Sequence, residues 1–253
     1  NMACNMGGMG FIENNKAECM LSVLINTNLL SACRDNKISK YFFSSSACAY
    51  NQSKQKDVFI EGLKENDAYP ADPEDGYGWE KLFSERLYLA YARNKGMQVR
   101  IARYHNVYGP EGSWRDGKEK APAAMCRKVA EAADGGSMEV WGDGKQTRSF
   151  LYIDDCLDAT LALTRSDFTG PVNIGSEEMV TINQLANLVI ELSGKTVSIN
   201  HIEGPLGVRG RKSDNKLIFE KLKWQPKYSL KEGIQKTFSW INTQVSNLQR
   251  ESC

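Results

Sequence analysis

The chain has 253 residues, of which 41% are hydrophobic and 25% charged, the balance of a folded globular protein and not of a disordered one. With 32 basic and 31 acidic residues the formal net charge is +1, so there is no basic footprint for nucleic acid, and an anionic ligand must be met by a few placed cations. No apolar run approaches the ~20 residues of a membrane span and no signal-like start is visible, which excludes a membrane protein and makes a cytoplasmic one the expectation. Cys4, Cys19, Cys33, Cys48, Cys126, Cys156 and Cys253 lie scattered without a CxxC pair and read as reduced thiols, not as a disulfide frame or a zinc site. His105 and His201 are the two histidines, and no metal site is expected.

The chain opens on Asn1-Met2-Ala3-Cys4-Asn5, and Met6-Gly7-Gly8-Met9-Gly10 reads as the loop that follows a strand. The expectation is that the fold begins before residue 1. Residues 16–36 carry apolar side chains at helical spacing (Met20, Leu24, Leu29, Cys33) and predict a helix. Residues 41–45 are a short apolar run that predicts a buried parallel strand opening into a serine-rich loop. Residues 50–76, polar and punctuated by Pro70, Pro73 and Gly76, predict a long surface loop. A helix follows over 77–95, with Leu82, Leu87 and Tyr91 inward and Gly96 as its stop, and 99–102 is the next strand. Strand, helix and strand of this length imply right-handed crossovers and a parallel sheet.

Past Pro110 the texture changes to loops around short helices at about 121–133, 154–165 and 182–193. Thr181 with Gln184 and Ser229 with Glu232 have the spacing of capping boxes. Residues 171–175 predict one more strand. Asp154 and Asp155 are read as helix N-caps and not as paired catalytic carboxylates.

Tyr-x-x-x-Lys occurs at Tyr50/Lys54, Tyr77/Lys81 and Tyr91/Lys95. The first lies in a polar loop, where helical spacing has no meaning. The third ends a helix, where a lysine serves the dipole. Tyr77 and Lys81 open a helix, and i,i+4 spacing puts them on one face. There a cation favours phenolate, lowering a pKa that starts near ~10 and suiting the tyrosine to proton transfer with a sugar hydroxyl. Ser44, Ser45 and Ser46 end the preceding strand, placing hydroxyls at the carboxyl edge of a parallel sheet, where open α/β folds bind ligands.

These residues resemble a known family. Ser44-Ser-Ser-Ala-Cys-Ala-Tyr50, Tyr77-Gly-Trp-Glu-Lys81, Arg103-Tyr-His-Asn-Val-Tyr-Gly-Pro110, the run 141–155 and Pro171-Val-Asn-Ile-Gly-Ser176 follow in the order seen in extended short-chain dehydrogenase/reductases, the NAD-dependent epimerases and dehydratases of nucleotide-sugars. The resemblance implies an α/β fold, a Rossmann-like doubly wound parallel sheet with a smaller α/β substrate-binding domain. Residues 1–109 would be the remaining part of the NAD-binding domain. Residues 110–253 would mainly bind the nucleotide-sugar, with about 146–176 returning to the first domain.

Within the family, 6–12, 45–48, 119–128 and 207–215 resemble a branch of isomerases that epimerise a GDP-hexose at C3 and C5. That resemblance implies oxidation at C4 by Tyr77, Lys81 and Ser46 with NAD, and proton exchange at the flanking carbons by Cys48 and Lys120. Met2 and Ala3, with Tyr77 and Lys81, would contact the cofactor. The nucleotide-sugar would meet Gly7, Ser45, Ser46, Cys48, Asn106, Glu119, Lys120, Ala121, Gln146 and Thr147. Lys128, Arg148 and Arg211 would hold its diphosphate, with Arg209 close behind, since guanidinium groups grip phosphate in a fork. Gly7 and Gly8 would let the backbone approach the sugar. A homodimer is expected through the helix bearing Tyr77.

The glycine-rich turn and the acidic ribose ligand of the family do not occur in these residues, and the first βαβ units are expected upstream of residue 1. Two other readings stay open. A 4-epimerase or 4,6-dehydratase would keep Ser46, Tyr77 and Lys81 but have no need of Cys48 and Lys120. A catalytically silent nucleotide-sugar-binding module would need neither set.

Overall fold

The computed structural model describes residues 1–251; Ser252 and Cys253 lie outside the described residues. The chain begins with three helices, α1 (Met9–Asn14), α2 (Lys16–Met20) and α3 (Ser22–Asp35), then strand β1 (Lys40–Ser46), helix α4 (Gly76–Lys95) and strand β2 (Gln98–Tyr104). β3 (Val107–Tyr108), α5 (Ala121–Glu131), β4 (Ser137–Trp141), β5 (Thr147–Ser149), β6 (Leu151–Tyr152), α6 (Ile153–Arg165) and β7 (Val172–Ile174) follow. The chain closes with β8 (Met179–Thr181), α7 (Ile182–Ser193), β9 (Ser198–Ile202), β10 (Gly210–Arg211), α8 (Lys216–Leu222) and α9 (Leu230–Glu251).

β1, β2 and β7 form a parallel sheet in that order, with Lys40 opposite Gln98 through Ser46 opposite Tyr104, and Ala102 opposite Val172. Central β2 is buried over Val99–Arg103, as a strand covered on both faces must be. Alternation sorts its side chains. Val99 and Ile101 join Tyr41, Phe43, Leu30 and Tyr88 beneath α3 and α4, while Ala102 joins Leu163, Val172, Ile174, Ile218 and Trp224 beneath α6 and α8. A third cluster, built on Met125, Val129, Leu185, Val189, Ile234 and Ile241, packs α5, α7 and α9 into a separate layer. The parallel pair β4–β9 and the small sheet β10–β5–β8 edge that layer.

Most of the local signals act as read. Gly96 ends α4 at φ +67°, and Asp75, which the spacing did not single out, accepts from Gly78 N at 2.8 Å to start it. Thr181 and Gln184 cap α7 reciprocally at 3.0 and 2.8 Å. Ser229 and Glu232 do the same before α9 at 3.3 and 2.9 Å. Asp154 and Asp155 are not caps: both lie in the first turn of α6, and Asp155 accepts from the backbone N–H of Lys227 and Tyr228, each at 3.0 Å. Tertiary partners outbid the local cap.

The helix expected over 16–36 is interrupted at Leu21. Most of its apolar stripe also faces outward, with Met20, Leu24 and Leu29 exposed; Cys33 packs against the core, and Cys19, Ser22, Asn26 and Leu30 are buried. The inner face is mixed: Leu30 enters the core, while Asn26 donates to the buried Glu80 carboxylate and to Ser84 of α4.

Candidate active site

β1 delivers its three serines to the carboxyl edge of the sheet, and a short 3-10 turn (Ala47–Ala49) follows. Ser46 Oγ accepts from Cys48 N at 3.1 Å and so fixes the turn that presents the thiol. α4 lies directly against this turn because its third residue is glycine. A Cβ on Gly78 would stand 2.2 Å from the Cys48 carbonyl oxygen. Tyr77 and Cys48, far apart in sequence, therefore share one apolar cluster with Cys4, Met6, Phe11, Ile12 and Cys19.

Tyr77 is buried, and burial pushes its phenol well above the ordinary tyrosine value. The charges of Cys4 and Cys48 act in the same direction, while a hydrogen bond with Ser46 opposes them. The net direction is thus upward, opposite to the lowering expected beside a lysine. Lys81 Nζ stands over the Tyr77 ring, 5.4 Å from its centroid, and over the Phe43 ring at 5.1 Å. Its charge is shared with the Glu80 carboxylate 3.6 Å away. It sits beneath Tyr77 and is not part of the cavity wall.

That wall encloses about 590 Å³. Ser44, Ser45, Ser46, Cys48 and Tyr77 form one side, and Glu119, Lys120, Ala121, Lys128, Gln146, Arg148 and Arg211 come from the opposite layer. Lys120 occupies the N-cap position of α5. Burial lowers its ammonium pKa from the ordinary lysine value, against an opposing pull from Cys48. Gly7 lines the cavity, but the close approach made by the glycine pair is to the chain itself. Gly8 N donates to Lys118 O at 2.9 Å, and a Cβ on Gly8 would stand 2.2 Å from the Glu119 carbonyl. These glycines position the segment that carries Lys120.

The expected diphosphate cations separate into three groups. Arg148 faces the cavity, donating to the carbonyls of Thr147 and Leu206 at 2.8 and 3.2 Å. Burial, followed by the neighbouring Arg211 charge, brings its pKa down to about 9. Lys128 also lines the cavity, though its Nζ donates to Glu139 O at 2.8 Å. Arg209 is engaged elsewhere, in a fork on Asp143 at 3.0 and 3.2 Å. Arg211 is the unexpected one. Its Nε donates to Gln55 Oε1 at 2.6 Å, its Nη1 to Cys48 Sγ at 3.4 Å, and its Nη2 is 3.6 Å from Glu74 Oε2.

The remaining expected contacts divide in the same way. Gln146 lines the cavity with Oε1 buried and unpaired, an acceptor in reserve. Thr147 does not line it, because its hydroxyl donates to the Val58 carbonyl. Asn106 lines it but fills a turn role, at φ 42° with Nδ2 donating to Ser149 O at 2.9 Å. Ser45 gives its hydroxyl to Glu85. Glu119 Oε1 receives Arg127 at 3.2 Å, while its Oε2 is buried without a hydrogen-bond partner. Met2 lines the cavity; Ala3 is exposed and does not.

Several residues gave no advance signal. Gln55 and Glu74 lie in the polar stretch 50–76, which has no periodicity to read. Beneath the serines, Glu85 grips Arg103 bidentately at 2.8 and 2.7 Å, and Asn173 accepts from the Tyr50 hydroxyl at 2.5 Å and contacts His105 Nε2 at 2.9 Å. Tyr50, assigned to a polar loop, is fully buried.

Comparison with known proteins places this site among nucleotide-sugar enzymes. The model of the NAD dependent epimerase/dehydratase family matches residues 4–175. GDP-mannose 3,5-epimerase of Arabidopsis thaliana is 50% identical over 246 residues, 97% of this chain and 65% of its own length. GDP-mannose 3,5-epimerase 1 of Oryza sativa subsp. indica is 49% identical, with 97% of this chain and 64% of its own length covered. The chain thus spans just under two thirds of these relatives. Among solved structures, UDP-glucose 4-epimerase of Thermotoga maritima with UDP-glucose superposes with a TM-score of 0.84 at 26% identity, covering 96% of this chain and 76% of that one. UDP-glucuronic acid 4-epimerase of Bacillus cereus, solved with UDP-glucuronic acid and NAD, gives 0.77 at 26% identity, covering 90% and 69%. With the parallel sheet, the strand-end serines and the Tyr77/Lys81 helix already in place, the chain belongs to the NAD dependent epimerase/dehydratase family.

Proposed function

We propose that the protein carrying this chain is a GDP-mannose 3,5-epimerase, converting GDP-D-mannose to GDP-L-galactose through a transient 4-keto sugar with recycled NAD. The observation that carries the reading is the meeting of Tyr77, Cys48 and Lys120 in one cavity, since a reaction confined to C4 uses only the first.

The residues present fit the nicotinamide end of NAD. The cavity floor lies at the carboxyl ends of parallel strands, and Met2 and Cys4 give it an apolar flank beside Tyr77. Met2 and Tyr77 would contact the cofactor, with Lys81 beneath. Bound NAD supplies a hydride acceptor at C4 and a positive charge that favours the Tyr77 phenolate. Tyr77 accepts the C4 hydroxyl proton, and Ser46 orients that hydroxyl. The 4-keto group acidifies the hydrogens on C3 and C5. Cys48 and Lys120, on opposite walls, remove and return protons from opposite faces, and burial favours the neutral amine that Lys120 needs as a base. Arg148 and Lys128 meet the diphosphate.

The outer faces of α3 and α4 support a homodimer. Leu21, Leu24 and Ile25 stand exposed at the start of α3, and Trp79 and Phe83 on α4, which α3 meets through Asn26; a second copy would cover these apolar side chains in a four-helix contact. Among the described residues no helix is long and apolar enough to cross a membrane, and the described cysteines are all free, which supports a cytoplasmic setting.

The test is proton NMR with GDP-mannose in deuterated water. Deuterium entering C3 and C5 without net consumption of NAD is expected, and Cys48→Ala or Lys120→Ala should slow entry by about a hundredfold or more. A folded, NAD-loaded protein that exchanges neither position would refute the reading.

A further inference from the structure

Arg211 is expected from the resemblance to hold phosphate, yet one arm of its guanidinium rests on the thiol. We infer that Gln55 is a positioning residue, which through Arg211 holds a fixed positive charge against the Cys48 sulfur. This deepens the proposed reading, in which Cys48 exchanges a proton with the hexose.

Gln55 is fully buried at the end of a 3-10 turn, Gln52–Gln55, in the stretch that looked like plain surface loop. Both of its ends are committed. Its Nε2 donates to Asn51 O at 3.3 Å, which turns Oε1 toward Arg211 Nε, 2.6 Å away. Its backbone carbonyl accepts from Arg209 N at 3.0 Å, so main chain and side chain both join the turn to β10. With Nε pinned, the planar guanidinium has one orientation, and that orientation lays Nη1 on Cys48 Sγ at 3.4 Å.

The alternative partner is close. Glu74 Oε2 lies 3.6 Å from Nη2, and Nη2 has no hydrogen-bond partner. Released from Gln55, Arg211 gains most by swinging onto this carboxylate, because a charged acceptor outbids a thiol. A neutral amide is the residue type the position calls for: it restrains the guanidinium without neutralising it.

Other titratable groups also interact with Cys48: Cys19 of α2, Tyr77 of α4, Lys120 ahead of α5, Arg148 of β5, and Cys4 of the N-terminal segment. Among the described residues Arg211 is the one that donates a hydrogen bond to its sulfur.

Alkylation of Cys48 by iodoacetamide, resolved by peptide mass spectrometry and followed from about pH 6 to about pH 10, tests this without any turnover. Gln55→Met should shift this profile toward slower reaction near neutrality, by about threefold to tenfold. Arg211→Met should do at least as much, and adding Gln55→Met to it should change nothing further. If Gln55→Met lowers the melting temperature, Gln55→Asn, which keeps an amide but falls short of Nε, should give the same shift. An unchanged profile in both Gln55 variants, or an equal shift with and without Arg211, would overturn the inference. Deuterium exchange into the hexose is a separate reading: its failure refutes the epimerase, and a shifted alkylation profile stands regardless.

Discussion

Tyr77 shows how one substitution separates chemistry from packing. Its ring is buried against Cys19 and Ile12, so Tyr77→Phe keeps the packing and loses only the hydroxyl. Turnover should fall by at least about a hundredfold with the unfolding midpoint within a degree or two of the wild type; a large loss of stability instead would mean that the hydroxyl serves the fold. Gly78→Ala acts through space. The added methyl meets the Cys48 carbonyl, and the backbone must yield. Destabilisation of about 2 kcal/mol or more is expected in urea, with loss of exchange at C3 and C5.

His105 carries the clearest pH dependence. Burial brings its pKa down to about 3 from an ordinary 6.5, so between those values the unfolded chain binds a proton that the folded chain refuses. The stability contributed by neutral His105 is whole above about pH 6.5 and drains away as pH falls toward 3, on the order of a few kcal/mol in all. Denaturation followed between pH 7 and 4 should show this slope, and His105→Gln should flatten it.

At the scale of elements, helix ends govern how the second layer holds together. α5 ends against the loop after α7, where Lys195 Nζ donates to the carbonyls of Val129, Ala130 and Ala132 at 3.1, 2.8 and 2.8 Å. One ammonium thereby satisfies three terminal carbonyls and opposes the helix dipole. Lys195→Met should cost about 1–2 kcal/mol in a denaturant titration, and an unchanged midpoint would show that water serves those carbonyls equally well. α3 makes the complementary point. Its spacing marked a helix correctly, but Leu24 and Leu29 of the stripe that revealed it lie outside, while the inner face is held by Leu30 in the core and by Asn26 on Glu80 and Ser84.

At the scale of the whole molecule, α3 and α4 meet through Asn26 and both leave apolar side chains exposed, Leu24 and Leu29 on the first and Trp79 and Phe83 at i,i+4 on the second. Leu24 and Phe83 are 56% and 54% exposed, more apolar surface than adjacent helices usually leave to water. Light scattering should give twice the chain mass for the protein and the single mass for Leu24→Glu combined with Phe83→Glu. A monomeric wild type would exclude the dimer.

What the sequence determined by itself is what short range can encode. The caps at Thr181 and Ser229, the Gly96 stop and the short apolar run of β1 follow from one or two turns of chain, because hydrogen bonding and alternation act between near neighbours. The Tyr77/Lys81 pair was legible for the same reason, and the order of the motifs identified the family. The tertiary structure decided how the charges are spent. Lys81 answers to Glu80, Arg209 to Asp143, Asp155 to residues 227–228, and Arg211 to Gln55 and Cys48. Each of these pairings, apart from Lys81 with its neighbour, joins residues tens of positions or more apart. A charge in low dielectric takes whichever partner the fold brings within a few ångströms, and no local pattern records that choice.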